Sequence, residues 1–377
     1  MHSSGAARMG EMPVGRLLMS MSVPIMISML IQALYNIVDS IFVARLGEEA
    51  LAAVSLAFPV QMLVISVGVG TAVGLNSLVS RRLGEGRREE AATAAATGVF
   101  LAVLSWAAFA ILGFFLSGSF FSAFTSHEGI LLMGEEYLSI CLIFSLGIFG
   151  YLIFERIMQA TGSTVYPMIV QISGAVVNII LDPILIFGLV GFPAMGVRGA
   201  AIATVIGQSV SMVLCILFNA KTNRDIRFSR ENFRFSAKSA AEIYKVGLPA
   251  IIMQAIGSLL TVGLNKILIV FSASAVSVLG IFFRLQSFVF MPIFGLVNGM
   301  SPIVGYNFGA RNRNRIVRVI QIALFAASAV MLAGTALFQL FPRQFLSLFN
   351  PSKEMLVIGV PALRIASSCF VFAGVSI

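Results

Sequence analysis

The sequence predicts an all-α protein that crosses a membrane about ten times, and three observations predict it. Hydrophobic residues make up 58% of the chain and charged residues 11%, less than half the share usual in soluble domains. The apolar residues gather into runs long enough to span a bilayer as helices, and mean hydropathy is +0.98. The few charges sit between the runs and are distributed unequally on the two sides.

In order, the runs fall near residues 17–44, 50–80, 91–116, 132–160, 166–190, 199–220, 246–271, 275–305, 316–341 and 355–377. Several exceed the ~20 residues a crossing needs, which allows tilt or kinks. Residues 1–16 read as a polar N-terminal tail. The apolar run after Arg16 is too long for the core of a cleavable signal, so the first span itself is expected to direct insertion. Short turns follow at Gly47-Glu48-Glu49 and at Arg81 to Glu90, and a longer loop at Ser117 to Gly129. Glu155 and Arg156 close the fourth span and read as interfacial groups snorkelling toward water. Residues 221–245 form the longest hydrophilic stretch, taken as a cytoplasmic linker between a first half, 17–220, and a second, 246–377.

With the N-terminus inside, the inner segments hold eighteen lysines and arginines, whereas the outer ones hold Arg45, Arg198, Arg343 and Lys353. That asymmetry orients the chain by the positive-inside rule, in a cell membrane with a cytoplasmic N-terminus. The net charge of +9 is therefore a topology signal and a contact surface for anionic lipid, not a nucleic-acid footprint. Cys141, Cys215 and Cys369 lie in apolar runs without metal spacing and read as small core residues. No cofactor is expected.

The halves repeat. Pro24 matches Pro249, Gln61 matches Gln286 and Gly84 matches Gly309 at a constant offset of 225, as do Gly70/Gly295 and Gly74/Gly299. An even number of spans separates the copies, so they share one orientation, a recurring plan in secondary transporters. The same offset carries Lys221 to position 446, beyond Ile377. The repeat therefore predicts about two further spans to complete a second half that holds four here.

The first span carries Gln32, Tyr35, Asn36 and Asp39 at spacings that put them on one helical face. A carboxylate at that depth costs at least ~2.5–3.5 kcal/mol, which makes it a site by default. Asn178 and Asp182 share a face of the fifth span, where Pro183 frees the carbonyl of Ile179. Thr204 and Gln208 lie in the sixth. Asp182, Asn178 and the Ile179 carbonyl are expected to form an oxygen-rich pocket facing Asp39, which suits a shared proton or a cation such as Na+. Lys266 and Arg284 also fall inside spans.

Tyr35-Asn36-x-x-Asp39, Asn178-x-x-x-Asp182-Pro183, Ala200-Ala201-x-Ala203-Thr204, Arg284-x-Gln286 and Pro302-Ile303-x-Gly305-Tyr306-Asn307-x-Gly309-Ala310 occur in this order. Together they resemble the multidrug and toxin extrusion (MATE) family, over essentially the whole chain from Pro24, and most closely its staphylococcal-type exporters. The resemblance implies two six-helix lobes related by a two-fold axis along the membrane normal, with the second lobe incomplete here. It implies a central cavity and export of amphipathic or cationic drugs by a monomer in exchange for H+ or Na+. It points to Asp39, with Asn178, Asp182 and Thr204 as neighbours, for the cation or proton, and Gln32, Tyr35, Asn36, Gln61, Gln208, Arg284 and Gln286 are expected to bind substrate or line the cavity. Two departures stand out. Gly257 occupies a position that is acidic in some members, and Glu354 lies only at the outer edge of the tenth span. Coupling would then rest on the first lobe. The rival readings are a lipid-linked oligosaccharide flippase of the same superfamily and a remnant that does not transport. An intramembrane protease is not expected, because no Gly-x-Gly-Asp stretch occurs and neither aspartate follows a tyrosine.

Overall fold

A computed structural model describes residues 5–268, 270–349 and 353–376, without the side chains of residues 258, 259, 262, 265, 266, 273 and 276; Lys266 thus lies outside the described side chains. Among the described residues the chain is helical throughout: α1 Gly5–Glu11, α2 Val14–Ala44, α3 Glu48–Gly84, α4 Arg88–Phe124, α5 Glu128–Ile143, α6 Leu146–Ala160, α7 Val165–Phe187, α8 Gly196–Thr222, α9 Ala237–Leu268, α10 Ala273–Gly309, α11 Arg313–Leu340, α12 Pro342–Ser347, α13 Lys353–Ser368 and α14 Phe370–Ser376. Eight stretches among the described residues are long and apolar enough to cross a membrane, or nine when α5 and α6 count as one bent span. The long helix α9 covers the remaining predicted run.

The predicted fourth run, 132–160, is bent between α5 and α6. The chain turns by 42° at Phe144 and Ser145, and the carbonyls released there do not stay bare. Ile143 O accepts from the Trp106 indole at 2.8 Å, and Leu142 O accepts from the Ser145 hydroxyl at 2.7 Å. Within hydrocarbon, where no water can serve, such replacement bonds are what make a broken helix tolerable. Helix α7 runs unbroken through Pro183 and stops at Gly188, whose φ of 74° is the left-handed conformation a Cβ would resist.

The lobe interface explains the repeated glycines. Gly70 on α3 lies against Gly247 and Ile251 of α9, while Gly295 on α10 lies against Met26 of α2. Gly74 faces Ile243 and Gly247; its counterpart Gly299 faces Ser22. Gly84 meets the backbone of Tyr306 and Ala310, and Gly309 that of Arg81 and Glu85. Subtracting 225 turns Ile251 into position 26, Gly247 into 22, Tyr306 into 81 and Ala310 into 85, so the contacts of one lobe map onto those of the other. This reciprocity is the signature of a two-fold axis, here passing between α3 and α10. A side chain at these positions would collide with backbone, which is why glycine recurs there.

Among the described residues these glycine contacts lie toward one end of the bundle. Gly257, Gly263 and Gly280, in the other halves of α9 and α10, have nothing within 4 Å of where a Cβ would stand. The lobes therefore meet at the end carrying the basic loops and splay toward the opposite end.

From Gly5 onward the N-terminal segment is more than the polar tail the sequence predicts. α1 lies beneath the closed end with Ala6 and Met9 buried. The Ala6 N–H donates to Asp225 Oδ2 at 3.0 Å, Asn307 Nδ2 to Met9 O at 3.1 Å, and Arg315 to Met9 O at 3.1 Å and to Met12 O.

Candidate functional site

The first lobe brings Tyr35, Asp39, Asn178, Asp182 and Thr204 together from α2, α7 and α8. Asp182 is fully buried, Asn178 is 2% exposed and Thr204 9%, while Tyr35 and Asp39 are half-buried. With its amide turned to suit both neighbours, Asn178 donates to Asp182 Oδ2 at 2.8 Å and accepts from the Thr204 N–H at 3.1 Å. Tyr35 and Asp39 of α2 lie in electrostatic range of Asp182. Asp39 Oδ1 and Asp182 Oδ1 are both buried without a hydrogen-bond partner. Buried carboxylate oxygens are costly when unsatisfied. Oxygen ligands from two carboxylates are of the kind that suits a small hard cation such as Na+.

The remaining predicted residues divide. Gln32 accepts from Gln171 of α7, and Gln171 in turn accepts from the Tyr151 hydroxyl of α6. Gln61 of α3 donates to Tyr137 Oη at 3.1 Å and to Cys141 Sγ at 3.6 Å, both on α5, and Asp39 acts electrostatically on these two groups. Gln61 thus flanks the pocket, and Cys141 does more than fill core space. Asn36 does not join them. It is exposed and makes none of the bonds that link the others, because Tyr35 and Asn36 stand roughly 100° apart on either side of Asp39 and only one side turns inward. Gln208, half-buried, lies one turn beyond Thr204 outside these bonds. Arg284 is exposed and Gln286 half-buried on the second lobe's α10, away from the pocket. Glu354 is exposed at the start of α13.

Glu155 and Arg156 correct a sequence expectation. They do not snorkel: Arg156 donates to Gln159 Oε1 at 3.0 Å and to Asn298 Oδ1 at 2.9 Å, across the lobe interface, and Gln159 donates to Glu155 Oε1 at 2.9 Å. The half-buried pair ties the lobes above the closed end. Below it, Glu242 of α9 accepts from Arg81 and from Arg82, the latter at 3.1 Å.

A family model described as MatE matches residues 24–184 and 249–377. The chain belongs to the MatE family. It is similar to the "FAD transporter" of Shewanella oneidensis, 27% identical over 354 residues that cover 91% of this chain and 76% of that protein. It is similar also to "Multidrug export protein MepA" of Staphylococcus haemolyticus, 24% identical over 366 residues, 97% of this chain and 80% of that protein. A solved structure described as the "Outward-facing conformation of a multidrug resistance MATE family transporter of the MOP superfamily" superposes with a TM-score of 0.91 at 27% identity, covering 99% of this chain and 83% of that one. The protein is thus a multi-pass membrane transporter of the MATE type and not an enzyme, built on the two-lobe all-helical plan.

Proposed function

We propose that this MatE protein exports amphipathic and cationic compounds in exchange for H+ or Na+, with Asp39 and Asp182 holding the coupling cation. The observation that carries the reading is the pair of buried, partnerless carboxylate oxygens in one pocket. Asn178 orients Asp182, Thr204 fixes Asn178 through its N–H, and Tyr35 stands one helical turn before Asp39 on the same face. By the positive-inside rule the splayed end faces outward and the closed, basic end faces the cytoplasm, with the N-terminus inside a cell membrane. A cation entering from outside gains ~2.3 kcal/mol per 100 mV of membrane potential for each charge carried across. Alternating access then requires the Glu242 and Arg156–Asn298 ties to break and α1 to leave the closed end. The chain works as a monomer, since both lobes of the cycle belong to one chain.

An anionic cargo is less well served. A pyrophosphate, whether of FAD or of a lipid-linked oligosaccharide, calls for several free guanidinium or ammonium groups, and the first lobe's Arg156 is already engaged by Gln159 and Asn298. The relatives named for multidrug export favour the same side. Efflux of ethidium from proteoliposomes under an imposed proton or sodium gradient tests the proposal. Wild-type chain is expected to respond to one of the two gradients, and Asp39→Asn and Asp182→Asn to neither. Transport of FAD in place of ethidium, or gradient-driven efflux by Asp39→Asn, would overturn it.

A further inference from the structure

The stretch between the lobes interleaves aromatic and basic residues at the closed end. Phe228, Phe233 and Phe235 are 38%, 44% and 52% exposed, and their buried edges pack on the first lobe's flank. Phe228 lies 6.4 Å from Phe154 of α6, and Phe233 lies 5.3 Å from Phe100 of α4, itself on the outer surface. Phe235 meets Phe100 edge-on at 6.3 Å, and the Ser236 N–H donates to Thr97 Oγ1 at 3.2 Å. The segment is thus held against α4 and α6 while its rings project from the surface. Arg227, Arg230 and Arg234 alternate with them; all three are exposed and, among the described residues, engaged in neither an ion pair nor a side-chain hydrogen bond. Arg224, Lys221 and Lys238 flank the segment, also exposed. Of the two acids here, Asp225 is buried and occupied by Arg88 and the Ala6 N–H, which leaves Glu231.

We propose that residues 227–235 form a specific seat for an anionic phospholipid, with the phenylalanine rings at the acyl boundary and the three guanidinium groups on the headgroup phosphate. The chemistry is complementary. Guanidinium forks pair two-pronged with phosphate oxygens, basic residues beside a membrane are drawn to anionic lipid, and exposed rings next to them suit the interface between headgroups and tails. A soluble anion would use the arginines but have no use for the rings, so the committed occupant is the lipid. Because the seat lies on the connection between the lobes yet is packed on only one of them, its lipid would pin the linker to the first lobe.

The test uses the full chain in nanodiscs of phosphatidylcholine with a minor share of phosphatidylglycerol, counting retained phosphatidylglycerol by native mass spectrometry. Arg227→Gln/Arg230→Gln/Arg234→Gln is expected to lower retention about tenfold or more, since each basic contact contributes severalfold. Phe228→Ser/Phe235→Ser is expected to lower it with the charge unchanged. The control Arg311→Gln/Arg313→Gln/Arg318→Gln, which removes equal charge from the same end, is expected to leave it within twofold. Equal loss in both arginine triples would reduce the effect to bulk charge and overturn the seat. So would undiminished retention in the first triple, or displacement of the lipid by millimolar inorganic phosphate.

Discussion

Asp39 and Asp182 each bury one carboxylate oxygen without a partner, and an unsatisfied buried polar group costs ~1–3 kcal/mol, more when charged. On the proposed function, two such atoms are tolerated because the coupling cation fills the site during the cycle. Asn178 is the residue that makes the arrangement directional, giving its amide hydrogen to Asp182 and its oxygen to the Thr204 N–H. Asn178→Leu keeps the volume but removes both bonds. It is expected to lower gradient-driven efflux at least tenfold while thermal stability in detergent falls by about 1–3 kcal/mol. Asn178→Asp, which retains the acceptor but loses the donor, should be impaired as well; full activity in both would detach Asn178 from the pocket. Asn36→Ala, at a position that shares the helical spacing yet stands exposed, is expected to leave efflux within twofold. The aspartates were legible in the sequence because a carboxylate in an apolar run is costly enough to announce itself. Tyr137, Cys141, Tyr151 and Gln171 were not, since neutral groups in the same runs look identical whether they face lipid, core or cavity. Gln171 alone offered a hint, as a second amide on α7 one helical face from Asn178.

At the scale of helices, the glycines separate into those that admit another backbone and those that do not. Gly74→Val and Gly299→Val each place a branched side chain against the opposite lobe, and overpacking of this kind costs about 1–3 kcal/mol. Both are expected to open the basic end, seen as faster alkylation of a cysteine introduced at position 77, and to do so to similar extents because the two sites are related by the axis. Gly263→Ala, with open space around it, should be neutral or slightly stabilising. Unequal or absent opening in the two valine variants would break the symmetry argument. The spans themselves were readable from hydropathy, and the repeat from a constant offset. The bend of the fourth span was not, because the bonds that permit it come from Trp106 and Ser145, one of them on another helix. Nor was α1 readable, a seven-residue helix too short to stand alone and formed where Asp225, Asn307 and Arg315 receive its backbone. The inward turn of Arg156 escaped the same way, since its acceptor Asn298 is 142 residues distant.

The whole molecule is closed at its basic end by ties that the proposed cycle has to break. Glu242 lies 26% exposed between Arg81 and Arg82, so each ion pair is worth no more than about 1 kcal/mol, a strength suited to a gate. Glu242→Gln is expected to shift the resting population toward the inward-open form by a factor of about five, measured as the change in distance between spin labels placed on the two lobes at that end. No change would mean the gate rests on the glycine contacts and α1 alone. The central claim, that cargo and cation compete for one transporter through Asp39 and Asp182, is tested most directly by counting ions. When tetraphenylphosphonium is added to the weakly buffered, purified chain, the wild type is expected to release H+ or Na+ in proportion to the compound bound, and Asp39→Asn to bind it without release. Equal release from both proteins would contradict the account.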